Sequence, residues 1–334
     1  MYPILHDENK LLLIDRFLTE YVHAGHVPTE YLQLVIPNAG LYFESDNDFD
    51  MLSQHMQLGY FSVWLHDIFA KKDIVLCPYS PYHLWALHFM YEDTLRAETI
   101  RIPDFMLEER QCNLFNLYSE MHRVPMKAGQ KVLSFHINIM PANIPKLVQQ
   151  YPGLYNLANK RLEKISGVIN DRPYRINAVC NYLVQHMLSC KYVEEIAQYY
   201  LHRCCVDLFL NFSLQDATPP PTIQLFTPIQ TVMLHQVFNY VTTNPQLRHS
   251  VAELANMFNM PGAQLAQGFR HHFCIGITPF INMVRMMHIY DNIMQKSFTL
   301  GMIAADTGYR NTMDMLKEVD AYYECNVMLM RREQ

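Results

Sequence analysis

The pattern of apolar and polar positions changes twice along this chain. Up to residue 141, apolar residues come in short runs between turn-forming stretches such as Pro37-Asn38-Ala39-Gly40 and Lys127-Ala128-Gly129. On that basis residues 31–36, 40–43, 60–65, 74–77, 83–90, 112–117 and 132–137 are predicted strands. Many short strands at such spacing suggest a barrel or a double-sheet jelly roll. From residue 142 the period lengthens to that of a helix. Helices are predicted over 144–165, with a break at Pro152-Gly153, over 176–189 and over 193–212. In the last of these Ile196, Tyr199, Tyr200, Cys204, Leu208 and Phe212 form one stripe, which packs into a core or against a partner helix. Pro219-Pro220-Pro221 cannot continue a helix and reads as an extended spacer. Beyond it every pattern is helical, beginning with 229–241, which Asn244-Pro245 stops. The expected division is a β-rich domain over 1–141, a helical packing or dimerisation segment over 142–216, a proline-rich linker over 217–227 and an all-helical domain over 228–334.

Within that last domain one pattern occurs twice. Ser250-Val251-Ala252-Glu253-Leu254-Ala255 opens a short helix, residues 256–260 form a turn, and residues 261–273 form a second helix. Thr299-Leu300-Gly301-Met302-Ile303-Ala304, residues 305–309 and residues 310–323 repeat the arrangement. Leu254-Ala255 and Ile303-Ala304 stand 49 residues apart, as do Asn259-Met260 and Gly308-Tyr309. A helix over 279–296 joins the blocks. In a helix-turn-helix, the second helix of such a block enters a DNA major groove.

Composition narrows the class. Half of the 334 residues are hydrophobic, which places the chain among globular proteins. No apolar run reaches the roughly 18 residues of a membrane span. The first residues show neither a basic stretch nor a small-residue cleavage site, so no secretory signal and a cytoplasmic protein are expected, with no membrane partner. Eight cysteines, none in a CxxC pair and all in apolar stretches, read as reduced, mostly buried thiols. The net charge is −6, yet residues from Thr222 onward carry 8 Lys+Arg and 8 Asp+Glu. Any basic face on the last domain must therefore come from arrangement rather than excess. There is no GxSxG, P-loop or dinucleotide-binding glycine pattern, and no His-x-His of the kind metal-cupin enzymes use. No enzyme activity, cofactor or metal is expected. Glu44, Asp46, Asp48 and Asp50 lack the Gly and terminal Glu of a calcium loop and read as a solvated turn.

Over residues 229–323 the chain resembles the AraC/XylS family of bacterial transcription regulators. The resemblance is carried by Leu254-Ala255, Leu265, Phe269 and Phe273 in the first block and by Phe280 and Arg285 in the joining helix. Ile303-Ala304, Gly308-Tyr309 and Tyr323 carry it in the second block. The interval from Arg285 to Gly308 is the family's own. Asn113-Leu114-Phe115, His122 and Ser134-Phe135-His136-Ile137, followed by helices and a proline-rich linker, are similar to the sensor half of some members. Cys274 departs from the usual Gly, Tyr323-Glu324 from Phe-Gly, and Val327 from Pro, while Met315 and Val319 fill aromatic positions. The resemblance implies an α+β protein: a cupin-like β-barrel or jelly roll followed by helices, then an all-α domain with two helix-turn-helix motifs. It also implies double-stranded promoter or operator DNA, a small-molecule effector, a second copy in a homodimer, and RNA polymerase as partners.

The candidate contacts follow from helix faces. Leu265, Phe269 and Phe273 share one face and pack inward, which leaves Gln264, Gln267, Arg270 and His271 toward DNA. Gln pairs bidentately with adenine, and Arg with guanine or a phosphate. The second block offers Arg310, Asn311, Thr312 and Lys317, beside Asp314 and Glu318, which repel phosphate. Arg285, inside the joining helix, is expected to tie it to one motif. In the β-rich half Tyr42, Trp64, His66, Trp85, His88, His122 and His136 are candidate ligand contacts. Aromatic faces there suit a sugar or a ring compound. The leading reading is a ligand-responsive, sequence-specific DNA-binding regulator. Its rivals are a binding protein of the same fold with weakened or lost DNA binding and, behind both, a cupin-type metal enzyme.

Overall fold

A computed structural model describes residues 12–15, 27–97, 105–160, 164–217, 226–295 and 297–333. The proline run of the expected linker and Lys296 lie outside the described residues. The chain divides into two compact units, Met1–Ile176 with Cys180–Ser213, and Asn177–Val179 with Leu214–Gln334.

The first unit is built from antiparallel strands and then helices. In chain order its strands are β1 (Leu12–Asp15), β2 (Gly40–Ser45), β3 (Phe49–Leu58), β4 (Phe61–Ala70), β5 (Ile74–Ser80), β6 (Leu84–Glu92) and β7 (Leu95–Ala97). They continue as β8 (Phe105–Leu107), β9 (Gln111–Leu117), β10 (Glu120–Met121), β11 (Val124–Met126), β12 (Lys131–Ile139), β13 (Gly167–Val168) and β14 (Tyr174–Arg175). The large sheet runs β13-β9-β6-β12-β4-β3-β2, with β14 also on β9. β5 pairs with β1, β10 and β11 in a second sheet, and β7 pairs with β8. Gly59 supplies the positive φ of 57° in the tight turn that sets Leu58 opposite Phe61. The helices are α1 (Ile144–Gln150), α2 (Tyr155–Ala158), α3 (Ala178–Leu188) and α4 (Glu194–Ala217).

Both faces of the large sheet are covered over its central strands. On one face Phe61 stacks on Phe209 of α4 with centroids 5.4 Å apart, and Phe89 packs on Phe135. The α4 stripe supplies this layer: Ile196, Tyr200, Cys204, Leu208 and Phe212 are all buried within the chain itself. Burying each such aromatic is worth about 1.5–3 kcal/mol. The opposite face looks toward the β5 sheet.

Three expectations are corrected here. Residues 31–36 were expected as a strand, but Thr29–Leu34 is a 3-10 helix. Its exit is held by the buried Gln54, whose side chain donates to the Leu34 carbonyl at 2.8 Å and accepts from the Ile36 N–H at 2.8 Å. β3 was missed because Ser53-Gln54-His55 interrupts its apolar pattern. Each of those side chains has a hydrogen-bond partner, so the polar stretch is tolerated inside the sheet. The helix expected over 144–165 ends at Gln150, and among the described residues of that range only the short α2 resumes after Pro152-Gly153.

The second unit is helical throughout its described residues: α5 (Pro228–Thr243), α6 (Val251–Met257), α7 (Gly262–Phe273), α8 (Ile277–Gln295), α9 (Leu300–Asp306), α10 (Thr312–Tyr323) and α11 (Val327–Glu333). Capping boxes open α5 (Thr227 with Gln230) and α6 (Ser250 with Glu253), and the Thr299 hydroxyl caps α9. The two helix-turn-helix blocks share one backbone. Met260 N–H bonds the Ala255 carbonyl at 2.9 Å, and Tyr309 N–H bonds the Ala304 carbonyl at 2.8 Å. Asn259 (φ 48°) and Gly308 (φ 75°) take the same left-handed turn position. Leu265, Phe269 and Phe273 in α7 correspond to Met315, Val319 and Tyr323 in α10, and all six are buried. The aliphatic substitutions in the second block therefore still fill its core.

Both second helices end on a left-handed residue that is not glycine: Cys274 (φ 53°, ψ 40°) and Glu324 (φ 57°, ψ 38°). That conformation costs an L-residue about 1–2 kcal/mol, partly offset by the greater unfolded-state freedom of glycine. Replacing the exposed Glu324 by glycine is expected to stabilise the second unit by roughly 0.5–1 kcal/mol. The check is the urea midpoint; an unchanged or lowered midpoint would count against a strained cap.

Candidate functional site

Between the facing sheets of the first unit lies a cavity of about 200 Å³. Its wall on the large sheet is made of alternate residues, among them His66 and Ile68 of β4, Ala86, His88 and Met90 of β6, Phe115 and Leu117 of β9, and Val132, Ser134, His136 and Asn138 of β12. The pleat dictates this, because every second residue of a strand points to one face. The β5 sheet contributes Leu76, Pro78 and Val124, and the β7–β8 hairpin contributes Leu95 and Phe105. His122 reaches the cavity from between β10 and β11, where its N–H bonds the Pro78 carbonyl.

Strand register gathers the aromatic groups. His55, Trp64, His136, His88 and Asn113 occupy one rung across β3, β4, β12, β6 and β9. Ring contacts run from His55 to Trp64 (4.4 Å), Trp64 to His66 (5.6 Å), His66 to His136 (5.3 Å) and His136 to His88 (6.0 Å). His66 Nδ1 lies 2.9 Å from the Ser53 hydroxyl. His88 Nδ1, His136 Nε2, Asn138 Oδ1 and both nitrogens of His122 are buried with no hydrogen-bond partner. Each such group costs about 1–3 kcal/mol, so the first unit holds a concentration of unsatisfied polarity around an otherwise apolar space.

Burial sets the charge of these rings. Desolvation, with His88 adding to it, pushes His66 down to about 3. Desolvation alone pushes His88 down to about 4. His136 lies well below the ordinary histidine range, through burial first and then the neighbouring imidazoles of His66, His88 and His55. His122 is lowered by burial, against an opposing pull from Glu120. At neutral pH the cluster is uncharged.

Of the seven ligand-contact candidates, His66, His88, His122 and His136 line this cavity, and Tyr42, Trp64 and Trp85 do not. Tyr42 stacks on Trp64 at 6.3 Å and is 48% exposed. Trp64 lies behind His66. Trp85 points to the other face of the sheet, where its indole N–H donates to Asn116 Oδ1 at 3.2 Å. Sequence reasoning overlooked Ser134 and Asn138, although both share the two-residue spacing of His136 along β12.

In the second unit α7 leaves Gln267 and Arg270 exposed and Gln264 and His271 half-buried. His272 turns away toward α5, its Nε2 2.9 Å from that of His235. On α10, Lys317 is exposed and Thr312 half-buried, and Arg310 and Asn311 are exposed just before it. The Asn311 side chain is engaged as the N-cap of α10, accepting from the Asp314 N–H at 2.9 Å. Arg285, buried in α8, reaches Glu318 Oε2 at 3.3 Å and lies over the Tyr309 ring at 5.0 Å, while the Tyr309 hydroxyl donates to the same carboxylate oxygen. It thus ties the joining helix to the second block and pairs with Glu318, whose side chain stays 49% exposed. The acids of the 44–50 segment are also engaged: Asp50 pairs with Lys71, Asp48 pairs with Lys72, and Asp46 accepts from the Asp48 and Phe49 N–H groups.

No family model and no curated protein matches the chain. Solved structures do. ToxT from Vibrio cholerae is similar at 9% identity over 81% of this chain and 98% of its own, with a TM-score of 0.32. The AraC-like transcriptional activator CuxR is similar at 12% identity over 73% of this chain and 82% of its own, with a TM-score of 0.30. The C-terminal domain of AraT, a response regulator from Geobacillus stearothermophilus, is similar at 14% identity over 32% of this chain and 87% of its own, with a TM-score of 0.29. Likeness at this level carries no argument, and the functional reading rests on the geometry.

The neutral histidines make stability depend on pH. In the unfolded chain they take up protons near pH 6.5. In the folded unit they resist until far lower. Their contribution is therefore complete above about pH 6.5 and is lost as pH falls toward about 4, each histidine adding a slope of about 1.4 kcal/mol per pH unit. Both tryptophans, Trp64 and Trp85, lie in this unit, so their fluorescence follows its unfolding. The urea midpoint is expected to drop between pH 6.5 and 5, and His136→Leu should reduce that slope by about one proton's worth. A slope unchanged by the substitution would contradict a buried neutral His136.

Proposed function

We propose that the protein is a ligand-responsive, sequence-specific DNA-binding transcription regulator of the AraC/XylS type, working in the cytoplasm as a homodimer with RNA polymerase as a further partner. The observation that carries this reading is the duplicated helix-turn-helix, with matching turn hydrogen bonds and a buried core in each copy. In each copy the second helix leaves its outer face open. Gln264 and Gln267 are suited to adenine edges and Arg270 and His271 to backbone phosphate; in the second copy Arg310, Thr312 and Lys317 are the groups suited to DNA contact. Asn311 contributes through the cap that fixes the start of α10. The strand-rich unit holds the effector. An effector shifts the regulator between states only if it binds them with different affinity.

A second reading is favoured by two observations: residues from Thr222 onward carry equal numbers of acidic and basic side chains, and Asp314 and Glu318 lie on the exposed side of α10. Under that reading the fold binds a ligand and no longer reads DNA. Titrating the full-length protein onto its own upstream DNA and onto random DNA, at low and moderate salt, separates the two. A regulator shows preference for its own site and a steep loss of affinity with salt. Arg270→Ala is expected to weaken binding to every sequence about tenfold and to lower the salt slope by about 1, whereas Gln267→Ala should weaken the specific site alone. Folded protein that binds neither DNA at low salt, with and without cavity ligands, would overturn the regulator reading.

A further inference from the structure

We propose that the cavity of the strand-rich unit takes an uncharged, largely hydrocarbon molecule bearing one hydroxyl group, which the imidazoles of His66, His88 and His136 hold. The proposal rests on the regulator reading and names the chemical class of its effector.

The cavity supports this in three ways. First, its lining is mostly hydrocarbon, from Ile68, Leu76, Leu95, Phe105 and Val132 among others. Its volume of about 200 Å³ is several times the roughly 30 Å³ that one water takes up in the liquid, room for a bicyclic ring system or a medium-length chain. Second, most of its polar side chains stand on the large-sheet wall, with His122 and Tyr79 across from them. The three imidazoles contact one another in series, and Asn138 lies two residues from His136 on the same strand face. Third, these groups lack partners of their own. Among the described residues, no group hydrogen-bonds either nitrogen of His88 or His136, and His66 is bonded only through Nδ1.

The number and kind of polar groups point to a hydroxyl. A neutral imidazole offers one N–H donor and one bare nitrogen acceptor. A hydroxyl, which donates once and accepts once, satisfies two neighbouring imidazoles together. A carboxylate meets a different environment. No Lys, Arg, Asp or Glu is among the described residues lining the cavity. The titratable groups facing the cluster are its own three histidines with His55 beside them, and His122, with Glu120 nearby, and Tyr79 from the opposite side. Burial keeps these imidazoles uncharged at neutral pH, so an anion would have to bring a proton with it. A plain hydrocarbon would fill the space and leave the nitrogens unsatisfied.

The test is calorimetric titration of the full-length protein near neutral pH with 2-naphthol, 2-naphthoate and naphthalene, in two buffers of different ionisation enthalpy. We expect 2-naphthol to bind about tenfold or more tightly than either of the others, with the same heat in both buffers. His88→Leu and His136→Leu should each bring 2-naphthol to within about threefold of naphthalene while naphthalene itself still binds. Naphthoate binding as tightly as naphthol, with heats that reveal proton uptake, would overturn the proposal in favour of an acid site. Naphthol binding no tighter than naphthalene in the unaltered protein, or no binding of any probe up to its solubility, would overturn it as well. DNA titration of the same preparation is read separately: failure of naphthol beside salt-steep DNA binding removes the ligand class alone, and naphthol binding beside absent DNA binding removes the regulator reading alone.

Discussion

The first unit depends on a sheet whose central strands have no solvent face. With α4 on one side and the β5 sheet on the other, polar side chains of the central strands must find partners or remain unsatisfied. Gln54 and Ser53 find them, in the backbone of the 29–36 segment and in His66. His88, His136 and Asn138 do not. The space in front of them remains open because the facing sheet and the β7–β8 hairpin offer mainly hydrocarbon to that wall. Unsatisfied polarity and unfilled volume therefore occur together, and a molecule that supplies both hydrogen bonds and carbon atoms relieves the two at once.

The second unit is ordered by repetition. Each block is started by a side-chain cap, turned by a left-handed residue and closed by another at the end of its second helix. What differs is the means. Asn259 and Gly308 hold one conformation with different side chains, and Cys274 and Glu324 hold the last position without glycine. Core packing compensates: Phe238, Phe269, Phe273 and Phe280 contact one another around the first block, and Tyr290 packs on Tyr323 at 4.4 Å in the second.

How much of this could be read beforehand varied with the kind of signal. The caps and the 49-residue interval are local and written in residue types, so the helical blocks were legible in the sequence. Strands with unbroken apolar runs were legible too, as at the start of β5. β3 was not, because its polar centre is accommodated by residues distant in the chain. The 31–36 run misled for the complementary reason: its residues are apolar enough for a strand, but a side chain from β3 bonds the backbone at its end. Residue type alone suggested all seven ligand-contact candidates, and four of them line the cavity. Trp85 was included with them because residue type does not report strand parity; it lies on β6 three residues from His88 and therefore faces the other way.

The two blocks are not perfect copies in register. First-helix positions repeat after 49 residues, as in Leu254 and Ile303, while second-helix positions repeat after 50, as in Leu265 and Met315. The extra residue lies before α10, and it fixes which side chains correspond. Gln264 is matched by Asp314, Gln267 by Lys317 and Arg270 by Asp320, whose carboxylate is already engaged by the Val327 N–H. Equivalent places on the two helices thus carry different chemistry, an amide opposite an acid or a cation opposite an anion. A duplex bound by both blocks of one chain would present two unlike half-sites, and its orientation on the protein would be set by that asymmetry.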